Sequence, residues 1–66
     1  MKITLNNTQL IVADNCTLMQ LIEQEELPLN NIALAVNNRL VLRNEWATTT
    51  FNEGDKIVAI VAAYGG

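Results

Sequence analysis

The sequence predicts an α+β fold, with a mixed sheet of about five strands and one helix across one face of that sheet. Three patterns predict it: alternating polar and apolar residues at the start, one stretch of apolar residues at helical spacing, and strand-length apolar runs after it. Half of the 66 residues are hydrophobic, which is typical of a folded chain and unlike the composition of a disordered one. We expect one domain over residues 1–63 and a flexible tail over 64–66.

The first two strands are predicted to form a hairpin. Residues 2–5 alternate between polar and apolar, which is the period of a half-buried strand. Asn6 and Asn7 follow, and asparagine tolerates the positive φ that a tight hairpin turn requires. The alternation resumes over residues 8–12, which places Leu10 and Val12 on one face.

One helix is predicted after the hairpin. Thr17 and Gln20 have the spacing of a capping box, in which each side chain satisfies a free backbone donor at the helix start. Pro28 disfavours helical geometry at the residue before it, so we expect the helix to end at Leu27. The apolar stripe of this helix consists of Leu18, Met19, Leu21 and Ile22.

Three further strands complete the predicted sheet. Residues 32–36 are apolar throughout, which indicates a strand covered on both faces, and a second Asn-Asn turn leads to a strand over 40–42. Residues 43–51 have no clear period, so we predict a loop with one short turn around Trp46, whose indole most often plugs a core. A last strand is predicted over 57–63. The resulting order of hairpin, helix and further strands is typical of a β-grasp, or ubiquitin-like, fold.

The last strand is apolar on both faces, although a single helix covers only one face of a sheet. Alternate side chains must therefore point away from the helix. We assign Ile57, Ala59 and Val61 to the core, and Val58, Ile60 and Ala62 to the outward face. Exposed apolar surface beside the end of the chain predicts a docking face for another protein. The alternative is that loops cover this face, or that the fold is closer to a sandwich.

The composition excludes several kinds of chemistry. The sequence has no histidine and a single cysteine, Cys16, so histidine-based catalysis, an internal disulfide and a multi-cysteine metal site are excluded. Cys16 precedes the predicted helix, where the dipole would lower a thiol pKa, but a lone cysteine is more often a small buried side chain. We predict no catalytic residue, no metal site and no cofactor bound by this chain, which is not an enzyme.

Charge and hydropathy indicate where the protein acts. The formal net charge is −3 and the four basic side chains are scattered along the sequence, so no nucleic acid partner is expected. The longest apolar run has eight residues, far fewer than the roughly 20 that span a bilayer, and the first residues form no signal segment. We expect a cytoplasmic protein with no membrane partner.

The end of the sequence is its most informative feature, because two of the three glycines are its last two residues, Gly65 and Gly66. A glycine end presents an unhindered α-carboxylate on a thin arm that fits a narrow active site. Such a carboxylate is ionised at neutral pH and is a poor electrophile. It therefore needs activation, most plausibly as an acyl-adenylate formed with ATP on another protein. The alternative is a frayed chain end without function.

Four segments carry a resemblance to a known family. They are Thr17-Leu18 at the helix start, Val41-Leu42-Arg43-Asn44-Glu45-Trp46, Gly54-Asp55 before the last strand, and Gly65-Gly66. Through them essentially the whole chain resembles the sulfur carrier proteins of thiamine thiazole biosynthesis, which are ubiquitin-like. The chain differs from that family at Tyr64, where a small or aliphatic residue is common, and at Cys16, near a turn where glycine is common.

The resemblance implies a cycle that runs on partner enzymes. A ubiquitin-activating-like adenylyltransferase would bind the apolar sheet face and use MgATP to adenylate the Gly66 carboxylate. Sulfur from a cysteine desulfurase or a rhodanese-type donor would displace AMP, and the resulting thiocarboxylate would deliver sulfur on thiazole synthase. Gly66 is then the reacting residue, Gly65 and Tyr64 give the tail its access, and the outward side chains Val58, Ile60 and Ala62 bind the partner.

Three alternatives stay open at this point. The Gly-Asp pair ten residues before a terminal Gly-Gly also resembles the small subunit of molybdopterin synthase, which uses the same thiocarboxylate chemistry with another acceptor. A protein-conjugating modifier would instead join Gly66 to lysine side chains. A plain β-grasp interaction module would have an inert end.

Overall fold

The computed structural model describes residues 1–61. The strands are β1 (Lys2–Leu5), β2 (Thr8–Ile11), β3 (Ile32–Val36), β4 (Arg39–Val41) and β5 (Lys56–Val61), and the helix α1 spans Leu18–Gln24. A short 3₁₀ helix, Arg43–Glu45, follows β4 just before Trp46, close to where the sequence predicts one short turn. The predictions for Ala62 and for residues 63–66 lie outside the described residues.

The five strands form one sheet in the order β2-β1-β5-β3-β4. The last strand therefore lies at the centre of the sheet. It is parallel to β1 and antiparallel to β3, and the two outer pairs are antiparallel hairpins. A mixed sheet of five strands with one helix confirms the predicted fold class.

Both hairpins turn through two asparagines with positive φ. The angles are 49° and 68° at Asn6 and Asn7, and 51° and 68° at Asn37 and Asn38. Positive φ at both central residues is typical of the tight turn whose twist matches that of paired strands, and asparagine adopts it more readily than most residues. The two Asn-Asn turns predicted from the sequence are confirmed.

The start of α1 is the predicted capping box. The backbone N–H of Gln20 donates to Thr17 Oγ1 at 3.2 Å, and the backbone N–H of Thr17 donates to the side-chain oxygen Oε1 of Gln20 at 3.0 Å. Two backbone donors that the first turn leaves free are thereby satisfied. No helix within residues 1–61 is long and apolar enough to cross a membrane.

The end of α1 differs from the sequence prediction, because the helix stops at Gln24 instead of continuing to Leu27. Glu26 adopts φ of 55°, and its N–H donates to the Glu23 carbonyl while that of Leu27 donates to the Ile22 carbonyl. These two bonds are those of the common helix ending in which a left-handed residue follows the last turn. That left-handed residue is most often a glycine. Because Glu26 occupies this position, the sequence did not indicate that the helix ends at Gln24.

The core lies between α1 and the inner face of the sheet. Trp46 is 2% exposed, and its Nε1–H donates to the Val41 carbonyl at 3.1 Å, which confirms that the indole plugs the core. The largest other side chains with almost no exposed surface are Ile3, Leu18, Leu21, Ile22, Leu34 and Ile57. The apolar faces predicted for the helix and for the first hairpin are confirmed, with Val12 buried and Leu10 half-buried.

Two burial predictions were wrong. Val61 is 48% exposed, although its parity places it on the same face as the buried Ile57 and Ala59. The reason is length: the seven residues of α1 span about 10 Å, whereas the six residues of β5 span about 20 Å, so the helix covers part of the strand only. The second error concerns β3, which is not covered on both faces, because Ala33 is exposed.

Candidate functional site

The outer face of the sheet carries a contiguous apolar surface over β5, β3 and β4. Ile60 of β5 lies opposite Ala33 of β3, and Val58 lies opposite Ala35, which in turn lies opposite Leu40 of β4. Because the alternate residues of these strands point into the core, these five side chains share the outward face. We call them the outer apolar patch.

The outer apolar patch is open to solvent at Ile60 and at Leu40. Ile60 and Leu40 are each 63% exposed, whereas Val58 and Ala35 are half-buried between their neighbours. Leu42, the next position of the same parity after Leu40, is 59% exposed. The outward orientation predicted for Val58 and Ile60 is confirmed, and no loop within residues 1–61 covers Ile60. Leu40 and Leu42 were missed as surface candidates, although their alternation after the second turn was a usable signal.

The rest of the outer face is mostly polar. On β1 and β2 the outward positions hold Lys2, Thr4 and Gln9, with Ile11 at the edge. Ile11 is 72% exposed, and β1, whose outward side chains are polar, separates it from the outer apolar patch on β5, β3 and β4. A single exposed isoleucine is ordinary on a protein surface, whereas a contiguous group of apolar side chains indicates an interaction site.

Both Asn-Asn turns bind β5 through the side chain of their first residue. The Ala59 N–H donates to Asn6 Oδ1 at 2.9 Å, and Asn6 Nδ2–H donates to the Ala59 carbonyl at 3.2 Å. Near the start of β5, the Lys56 N–H donates to Asn37 Oδ1 at 2.9 Å, and Asn37 Nδ2–H donates to Asp55 Oδ1 at 3.1 Å. The strand that leads to the end of the chain is therefore held by side chains as well as by its neighbouring strands.

Cys16 has no features of a reactive thiol. It is 6% exposed, and burial raises its pKa above the ordinary value, so the neutral thiol is favoured. Its Sγ–H donates to the Thr17 carbonyl at 3.4 Å. The side chain therefore has the structural role favoured from the sequence, not that of a thiolate at a helix start.

The segment from Val41 to Trp46, which carries much of the family resemblance, serves packing. Trp46 is in the core, and the Arg43 guanidinium lies over its ring with Cζ 5.8 Å from the centroid.

Within residues 1–61 no three histidine, cysteine, aspartate or glutamate side chains lie together as metal ligands would. Of the predicted site residues, Ala62, Tyr64, Gly65 and Gly66 lie outside the described part of the chain, so their roles stay predictions.

Comparisons with known proteins agree with this architecture. The model of the ThiS family matches residues 2–66. The sulfur carrier protein ThiS of Escherichia coli (strain K12) is 32% identical over 66 residues, covering 100% of both chains. The crystal structure of a thiamine biosynthesis protein (ThiS) from Geobacter metallireducens superposes with a TM-score of 0.84 over 100% of both chains at 20% identity, which confirms the β-grasp fold.

Proposed function

The chain belongs to the ThiS family of thiamine sulfur carriers, and from this premise we propose that the carboxylate of Gly66 is the group that carries the sulfur. Membership in this family confirms the resemblance drawn from the sequence and the prediction of a carrier that is not itself an enzyme. The observation that supports the proposed site is the terminal Gly-Gly on a sequence that matches its family from residue 2 to 66.

The proposed chemistry has two steps at the Gly66 carboxylate. A carboxylate oxygen of Gly66 attacks the α-phosphorus of ATP, which forms an acyl-adenylate and releases pyrophosphate. A hydrosulfide equivalent, released from the persulfide of the donor protein by a thiol that is oxidised to a disulfide, then attacks the acyl carbon, and AMP leaves as the C–S bond forms. Activation is needed because an α-carboxyl group, with a pKa of about 3.5, is an unreactive anion at neutral pH. Sulfur transfer to an acceptor, followed by return of the carboxylate, closes the cycle.

The outer apolar patch supports the docking step of this proposal. Ile60 lies six residues before Gly66, so an extended end reaches on the order of 20 Å from the patch. A partner that covers the patch can therefore receive the carboxylate in an active site at that distance. We propose that Val58, Ile60 and Ala62 contact the partner, and we add Leu40 from the structure because it continues the same surface.

The partners in the proposal are those of the sulfur cycle. A ubiquitin-activating-like adenylyltransferase supplies the ATP site and its Mg²⁺, a cysteine desulfurase or rhodanese-type protein supplies sulfur, and thiazole synthase receives it. No partner is a nucleic acid or a membrane. Since the cycle consumes ATP, the proposal places the protein in the cytoplasm.

Intact mass tests the proposal. The protein is incubated with such an adenylyltransferase, MgATP and a sulfur source, under conditions in which the Escherichia coli relative is converted. A mass gain equal to the difference between sulfur and oxygen, absent when Gly66 is deleted, supports the thiocarboxylate. No gain with an active partner contradicts it. Higher-mass conjugates on a denaturing gel would instead support a protein-conjugating modifier. Delivery of the sulfur to a molybdopterin precursor, and not to the substrate of thiazole synthase, would support the small subunit of molybdopterin synthase.

A further inference from the structure

The two asparagine turns bind β5 in different ways. Asn37 lies beside the start of β5, where it accepts from the Lys56 backbone and donates to the Asp55 side chain. Asn6 binds both backbone groups of one residue, accepting from the Ala59 N–H at 2.9 Å and donating to its carbonyl at 3.2 Å. The Asn6 amide therefore bonds to β5 as the backbone of a neighbouring strand would.

The Asn6 side chain continues the hydrogen bonding to β5 beyond the end of β1. β1 pairs with β5 as far as Leu5 and Ile57, and the Asn6 N–H adds a bond to the Ile57 carbonyl at 3.0 Å. The chain then turns away at Asn7. Within residues 1–61 the Asn6 side chain makes the last hydrogen bonds to β5 on the β1 side, whereas β3 continues its pairing to Val61 on the other side.

We propose that Asn6 is a positioning residue for the reaction at Gly66. By holding Ala59 from the β1 side, it keeps the end of β5 in the plane of the sheet. Ile60 of the outer apolar patch lies next to Ala59, and Gly66 follows seven residues after Ala59. The same bonds therefore fix the docking side chain and the last described residues of β5, to which residues 62–66 are joined. This inference rests on the proposed function, because it needs a reaction at Gly66.

Loss of the Asn6 side chain is expected to raise KM for thiocarboxylate formation. Without the Asn6 amide, residues 59–61 are paired on the β3 side alone and fray more often. A partner must then order them on binding, and that entropic cost weakens docking. The bound complex is the same once formed, so kcat changes little. Each of the two lost hydrogen bonds is worth about two- to tenfold in an equilibrium constant, so about a hundredfold is the upper limit for the rise in KM. Because the pairing with β3 remains, we expect a rise of about three- to tenfold.

Matched variants in the two turns test this role. Asn6→Gly and Asn37→Gly each remove a side chain from the first position of a hairpin turn, and glycine accepts the positive φ of both sites. We expect Asn6→Gly to raise KM for thiocarboxylate formation, and Asn37→Gly to keep the parent KM. Amide hydrogen exchange should accelerate at Ala59, which loses its acceptor, and at Ile60, which is paired with Ala33 of β3, in Asn6→Gly only. Asn6→Asp retains the acceptor but not the donor and should fall in between.

The outcomes separate the inference from the function on which it rests. If both glycine variants share one KM and one exchange rate at Ile60 while the parent is converted, Asn6 is only a turn residue and the inference is wrong. A kcat loss in Asn6→Gly with unchanged KM also contradicts it. If the parent gains no sulfur with an active partner, the proposed function fails first, and the positioning role fails with it.

Discussion

The strongest test of the docking face is to change Ile60. Its side chain is 63% exposed in the free protein, belongs to the outer apolar patch and contributes little to the core. Ile60→Ala removes most of the apolar surface that docking would bury, and Ile60→Asp adds a charge at the same place. Both variants should fold, because the changed side chain is already largely in water.

The exposed fraction sets the size of the effect. Burying a whole isoleucine side chain is worth about 1.5–3 kcal/mol, so burying the remaining two-thirds of Ile60 is worth about 1–2 kcal/mol. Ile60→Ala should therefore raise KM for adenylation by about five- to thirtyfold. Ile60→Asp should raise it by more than about a hundredfold, because a carboxylate without a partner is strongly disfavoured in an apolar interface.

The assay measures KM and kcat of the adenylyltransferase for each variant, with circular dichroism and thermal unfolding to verify the fold. Ile11→Asp is the matched control, since Ile11 is 72% exposed on the polar half of the same sheet face. If the Asp variants of Ile60 and Ile11 have the same KM, docking uses another surface. If both Ile60 variants unfold, Ile60 serves stability instead.

Two further predictions concern stability. Glu26→Gly should raise the free energy of unfolding by about 1 kcal/mol, or about 4–8 °C in Tm, because Glu26 holds a left-handed conformation that glycine adopts without strain; Glu23→Gly, within α1, should lower it by a similar amount. A lower Tm for Glu26→Gly would contradict this account of the helix end. Burial raises the pKa of Cys16 in the folded state, so above the ordinary value of 9.0 the unfolded chain loses its thiol proton first and stability falls as pH rises. Cys16→Ala should remove this decline in a urea titration at several pH values, and an unchanged decline would assign it to other groups.

Local features were largely predictable from the sequence. The Thr17 and Gln20 capping box and the Asn-Asn turns depend on residues within three positions of one another, so their geometry follows from side-chain chemistry alone. The terminal Gly-Gly and three segments spread along the sequence were enough to indicate the family. The helix end at Gln24 was not predictable, because Glu26 is an uncommon residue in the left-handed conformation that closes the helix.

The sequence by itself determined the elements, the inward helix stripe, the family and the candidate reacting residue, because each depends on residue type or on close spacing. Only the tertiary structure decided that β5 lies between β1 and β3, that the short helix leaves Val61 exposed, and that the outer apolar patch extends to Leu40. The bond between Asn6 and Ala59 joins residues 53 positions apart. Such contacts depend on sheet order, and sheet order is set by the burial of the whole core, which no local pattern records.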